Sequence, residues 1–183
     1  MKAAGLVLAA GAGTRMGRPK ALVRDADGIS WLARSVVVLR DAGCRDVTVV
    51  LGARADEARA LVPAGATVVV ADDWAEGMAA SLRAGLRSLT SGDIALVTLV
   101  DLPDVTAAVA RRVLSAGDGP ASLVRATYDG RPGHPVLFGS NHWMPVADSV
   151  TGDSGARDYL AAHDTTDVEC GDLATGHDQD RPV

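Results

Sequence analysis

Short apolar runs alternate along the chain with stretches in which apolar residues recur every three or four positions. The runs fall at 3–8, 46–51, 66–71, 94–100, 121–126 and 135–138, with a weaker one at 166–169. Their β-branched and leucine-rich content, without polar alternation, predicts strands buried on both faces. Between them, helical spacing predicts helices at 28–42, 56–61, 79–89, 106–115 and 153–163. Ser30 is placed to cap the first of these and Gly43 to stop it, while Thr106 stands near the start of the fourth. Strands alternating with helices predict a three-layer α/β/α fold around a mostly parallel mixed sheet. In such folds ligands sit beyond the carboxyl ends of the strands. The places to look are therefore the segments after the first, third and fourth strands.

The segment after the first strand reads Leu8-Ala9-Ala10-Gly11-Ala12-Gly13-Thr14-Arg15-Met16-Gly17-Arg18-Pro19-Lys20. Glycines let backbone N–H groups approach an anion, and Arg15 and Lys20 add a forked and a compact positive charge. That combination suits a triphosphate. A tight turn or a dinucleotide loop is the plainer reading. However, the dinucleotide fingerprint has its third glycine elsewhere, and no Gly-Lys-Ser/Thr follows to make a P-loop. After the fourth strand, Asp101 precedes Leu102-Pro103. It either holds a hard cation against phosphate oxygens or caps the next helix. Asp104 is read as structural.

These residues resemble the MobA-like NTP-transferase family. LAAGAGTRMGRPK looks like that family's nucleotide loop, and the resemblance runs from Leu8 to about Pro182. It implies a nucleotide-diphospho-sugar transferase-like fold and a single domain over 1–183, with a loose tail from 171. Leu8 to Gly13, Arg15 and Lys20 would hold the nucleotide, with Arg15, Lys20 and Asp101 as catalytic groups. Asp101 would bind Mg²⁺. The segment Gly176-His177-Asp178-Gln179-Asp180-Arg181-Pro182 is similar to the family's Asp-Ile-Asp-Thr-Pro, with Arg181 in place of Thr. Asp178 or Asp180 is then the second metal ligand, and a solvated acidic tail is the alternative. Trp74-Ala75-Glu76-Gly77-Met78-Ala79-Ala80-Ser81-Leu82 resembles the block that reads base and sugar, through Gly77 and Ser81. Ala71 stands where the family often has Asn. Gly130-Arg131-Pro132-Gly133-His134-Pro135-Val136 and Gly152-Asp153-Ser154-Gly155-Ala156-Arg157 resemble acceptor-side motifs. They point to Arg131, His134, Asp153 and Arg157, although His134 also reads as a structural histidine and Asp153 as a helix cap.

Within the family the resemblance is to molybdenum cofactor cytidylyltransferases, because of the last two motifs and because Ala10 replaces a glycine typical of guanylyltransferases. The implied reaction moves CMP from CTP to molybdopterin, with handover to a molybdoenzyme or chaperone. Transfer of another nucleotide to another phosphorylated acceptor is the first alternative. A nucleotide-binding regulatory module is the second, favoured by the altered tail and Ala71. A nicotinamide oxidoreductase is a distant third.

Composition narrows the partners. The net charge of −5 and 3% aromatic content argue against nucleic-acid binding, which needs basic surface and stacking platforms. The two cysteines, Cys44 and Cys170, form no CxxC pair and read as buried thiols. The opening apolar run is too short for a membrane span and reads as a buried strand, so a cytoplasmic location is expected.

Overall fold

A computed structural model describes residues 1–180; Arg181 and Pro182, part of the tail motif, lie outside the described residues. Seven strands form one sheet in the order β3-β2-β1-β4-β6-β5-β7. They are β1 Ala3–Ala9, β2 Asp46–Leu51, β3 Thr67–Val70, β4 Ile94–Leu99, β5 Leu123–Tyr128, β6 Arg131–Gly139 and β7 Thr166–Glu169. Only β6 runs against the rest, pairing antiparallel with β4 and β5. The apolar runs become strands because each is covered on both faces. Leu6, Leu8, Val50, Val97 and Phe138 pack to one side, and Val7, Val49, Leu96, Val124 and Leu137 to the other.

Helices α1 Trp31–Ala42 and α4 Ala107–Ser115 cover the second side. Helices α3 Met78–Ser88, α5 Ser140–Ser149 and α6 Arg157–Ala161 cover the first, while α2 Ala55–Arg59 lies between β2 and β3. Helix α1 begins three residues later than the expected 28, but its cap and stop are those expected: Ser30 Oγ accepts from Ala33 N–H, and Gly43 ends the helix at φ 113°. Thr106 precedes α4 but makes no side-chain cap bond.

Three expectations are corrected. The helix expected at 153–163 spans only Arg157–Ala161, with Ala156 at its N-cap, so Asp153 caps nothing. Helix α5 was not expected, since Pro145 lies inside it and no polar side chain caps its start. The segment from 171 to 180, expected to be loose, is tied down. Thr175 donates through its backbone N–H and its hydroxyl to Asp104 Oδ2, both at 2.6 Å, and Gln179 N–H donates to the Asp101 carbonyl at 2.9 Å. Among the described residues no helix is long and apolar enough to cross a membrane.

Candidate active site

Strand β1 connects through α1 to β2 on one side, whereas β4 lies on its other side. The crevice between β1 and β4 is thus the switch point where ligands bind in doubly wound sheets. The glycine loop leaves β1 here and Asp101 leaves β4. Gly13 takes φ 62°, and a β-carbon there would overlap the Arg18 carbonyl. The loop therefore folds back on itself at Gly13, while Gly11 is exposed with open space beside it.

That fold-back brings Lys20 to Asp101. Lys20 Nζ lies 2.5 Å from Asp101 Oδ2 and 2.6 Å from Asp180 Oδ1, and Arg15 reaches Asp180 Oδ2 at 2.7 Å. Burial pulls the Lys20 ammonium down, but its hydrogen bonds to the two carboxylates outweigh this and hold it above its ordinary value. Asp180 is held below the usual carboxylate range by Lys20 first and Arg15 second. Arg15 is otherwise open to solvent, its side chain 79% exposed.

The carboxylates fit a hard divalent cation. Asp101, Asp178 and Asp180 each place one oxygen within 4.8 Å of the others. Asp101 is 9% exposed, and its Oδ1 is buried with no hydrogen-bond partner. Such an orphaned oxygen is costly unless a ligand completes it. Asp104 Oδ1 is buried and unpartnered too, but its other oxygen anchors the tail through Thr175, a structural role.

The remaining expected nucleotide residues are placed less openly. Leu8, Ala9 and Ser81 are buried, Ala12 and Gly77 half-buried. Ala10 is 2% exposed, with its carbonyl accepting from Ala53 N–H at 2.9 Å. Its methyl is walled in rather than facing open space, so it offers no steric basis for choosing one base over another. Gly77 takes φ 113°, and a β-carbon there would strike Asp153 Oδ1 and come 2.7 Å from the Gly152 carbonyl. Ala79 N–H donates to that carbonyl at 2.9 Å. The start of α3 is thereby locked to the Gly152–Asp153 loop.

His134, Asp153 and Arg157 come together around a cavity of about 180 Å³ floored by Leu8, Val97 and Phe138. Burial lowers the His134 imidazole to about 4, so it is neutral at physiological pH. Arg131 is exposed at the start of β6 and does not line the cavity. Arg125 does, although sequence reading missed it; Asp167 on β7 grips its guanidinium at 2.9 and 3.1 Å. The available signal was a lone charge in the apolar run Leu123-Val124-Arg125-Ala126.

A glycine loop and two cations facing a strand-end carboxylate and the carboxylates of the tail, at the switch point of a mostly parallel sheet, define the nucleotidyltransferase class of α/β domains. The MobA-like NTP transferase domain matches residues 5–167, and the chain belongs to that family. Its fold is the Rossmann-like one of nucleotide-diphospho-sugar transferases. The chain is 36% identical to nicotine blue oxidoreductase of Paenarthrobacter nicotinovorans, over 96% of this chain and 91% of that one. Rv0371c of Mycobacterium tuberculosis, solved in complex with manganese, superposes with a TM-score of 0.78 at 28% identity, covering 98% and 94% of the two chains. A nucleotidyl transferase from Methanothermobacter gives a TM-score of 0.77 at 26% identity, covering 92% and 87%.

Proposed function

We propose that this chain is a Mg²⁺-dependent cytidylyltransferase that moves CMP from CTP to the terminal phosphate of a molybdopterin-type acceptor and releases pyrophosphate. The observation that carries the transferase part is the Lys20–Asp101–Asp180 cluster with its orphaned Asp101 oxygen. Asp101, Asp178 and Asp180 would hold the metal, which supplies charge neutralisation on the phosphates. Lys20 and Arg15 turn from the carboxylates to the triphosphate, and the exposed Gly11 amide adds a donor. His134 and Arg157 orient the acceptor in the cavity beside Leu8. The acceptor oxygen attacks the α-phosphorus in line as the bond to the pyrophosphate oxygen breaks. The side chains contribute by position and charge, and no covalent enzyme intermediate is needed.

The choice of CTP and of a molybdopterin acceptor rests on the acceptor-side motifs rather than on Ala10. Handover of the product to a molybdoenzyme or chaperone, in the cytoplasm, follows from the same reading. The test is pyrophosphate release from purified protein with Mg²⁺, molybdopterin-type acceptor and each NTP in turn. CTP-dependent release is expected. Release with GTP instead would keep the chemistry and overturn the base assignment. Nucleotide binding without any release would favour the regulatory module.

A second reading is an oxidoreductase, favoured by the 36% identity to nicotine blue oxidoreductase. The same glycine loop would then hold the pyrophosphate of a dinucleotide. It leaves the Asp101, Asp178 and Asp180 carboxylates without a purpose, which is why it ranks second. Oxidation of a reduced nicotinamide nucleotide by nicotine blue, unaffected in Asp101→Asn, would establish it.

A further inference from the structure

We propose that Tyr128 is a positioning residue that fixes the carboxylate-bearing tail and the acceptor hairpin relative to one another. The proposal builds on the transferase reading. Tyr128 ends β5, is 5% exposed, and belongs to the apolar cluster beneath α1 and α4. Its hydroxyl donates to the His134 carbonyl at 2.6 Å. One edge of its ring, Cδ2–Cε2, is approached by glycines from two different segments. A β-carbon on Gly133, next to His134, would lie 2.8 Å from that edge. A β-carbon on Gly176, two residues before Asp178, would overlap the same atoms. Both segments therefore reach the ring as closely as backbone can.

The rest of the tail explains why this matters. Thr175 is fastened to Asp104, and Gln179 to the Asp101 carbonyl. Between these anchors the chain must turn so that Asp178 and Asp180 face Asp101. The seat for that turn is Gly176 on the Tyr128 ring. The same ring, through its hydroxyl, sets the height of the His134 backbone at the cavity. One side chain thus references the metal-holding carboxylates and the acceptor wall to the same point of β5. A shift of about 1 Å between them would misalign the attacking group, which is costly for an in-line transfer.

Two variants separate the two contacts. Tyr128→Phe keeps the ring and loses the bond to His134; Tyr128→Leu loses both. Affinity for Mn²⁺, read by the free-ion electron paramagnetic resonance signal, should fall about tenfold in Tyr128→Leu, the lower end for loss of an outer-shell support. It should stay at the wild-type value in Tyr128→Phe. KM for the acceptor should rise in both variants, with kcat falling only in Tyr128→Leu. If Tyr128→Leu merely melts earlier, with Mn²⁺ affinity and KM unchanged below its melting temperature, the residue is structural and the proposal is wrong. If the wild-type protein neither binds Mn²⁺ nor turns over, the transferase reading fails by itself. Hydrogen exchange at the Gln179 amide then decides: faster exchange in Tyr128→Leu but not in Tyr128→Phe upholds positioning, and equal rates in all three overturn it.

Discussion

Lys20 and Asp101 form a close, largely buried ion pair, and Asp180 and Arg15 extend it toward solvent. A buried pair of this kind is weak evidence for stability and better evidence for function, because its desolvation is costly unless the charges have work to do. Replacing Asp101 by Asn should therefore leave the circular dichroism spectrum and cooperative melting intact. Turnover should fall by at least about 100-fold, the upper range for disturbing a metal's outer shell alone. Near-wild-type activity in that variant would remove Asp101 from the mechanism. Lys20 and Asp101 were legible in the sequence because Asp101 stands just past a clear apolar run and Lys20 closes the glycine loop that follows another. Arg125 and Tyr128 were not, because their partners Asp167, Gly133 and Gly176 become neighbours only when β5 is paired. Glu169 is another residue of this kind. The amides of Gly130 and Gly171, then Asp129, and the Thr127 hydroxyl hold its carboxyl down to about 2, against 4.5 ordinarily. A carboxyl whose folded value is depressed contributes stability above the unfolded value and loses it as pH falls toward the folded one. The wild-type melting temperature should thus drop between about pH 4.5 and pH 2 more steeply than that of Glu169→Gln. Parallel curves would contradict the clamp.

At the scale of elements, the strands were legible because continuous burial leaves an unmistakable apolar run. Strand β6 is longer than its apolar core, beginning at Arg131, because Asp129 and Gly130 at φ 51° and 73° make a tight hairpin turn. Such paired positive φ angles match strand twist and fix the register. Helix α5 was hidden by Pro145, and α6 was overextended because Gly152 and Gly155 at positive φ break the helical path that the polar spacing suggested. The contact between the α3 start and the Gly152–Asp153 loop joins the two segments proposed to serve the nucleotide and the acceptor. Gly77→Ala forces a β-carbon into that junction at φ 113°. It should lower unfolding free energy in urea by about 1–3 kcal/mol, the usual cost of a strained backbone position, and weaken nucleotide binding as well. Unchanged stability would mean that the loop simply yields.

Over the whole molecule, the strand order puts β1 and β4 side by side, and this one topological fact gathers residues 15, 20 and 101 at a single crevice. The tail then returns past β5 and lays Asp178 and Asp180 over the same crevice, a closure that local pattern could not reveal. An acidic protein with Arg15 and Lys20 at that point is suited to a small polyphosphate rather than to a nucleic-acid surface. On the proposed reading, this crevice transfers a nucleotide. Pyrophosphate release with Mg²⁺, molybdopterin-type acceptor and each of the four NTPs tests it most directly. Release is expected with CTP, and it should be lost in Asp101→Asn. No release with any NTP, together with nicotinamide-dependent reduction of nicotine blue that survives Asp101→Asn, would contradict it.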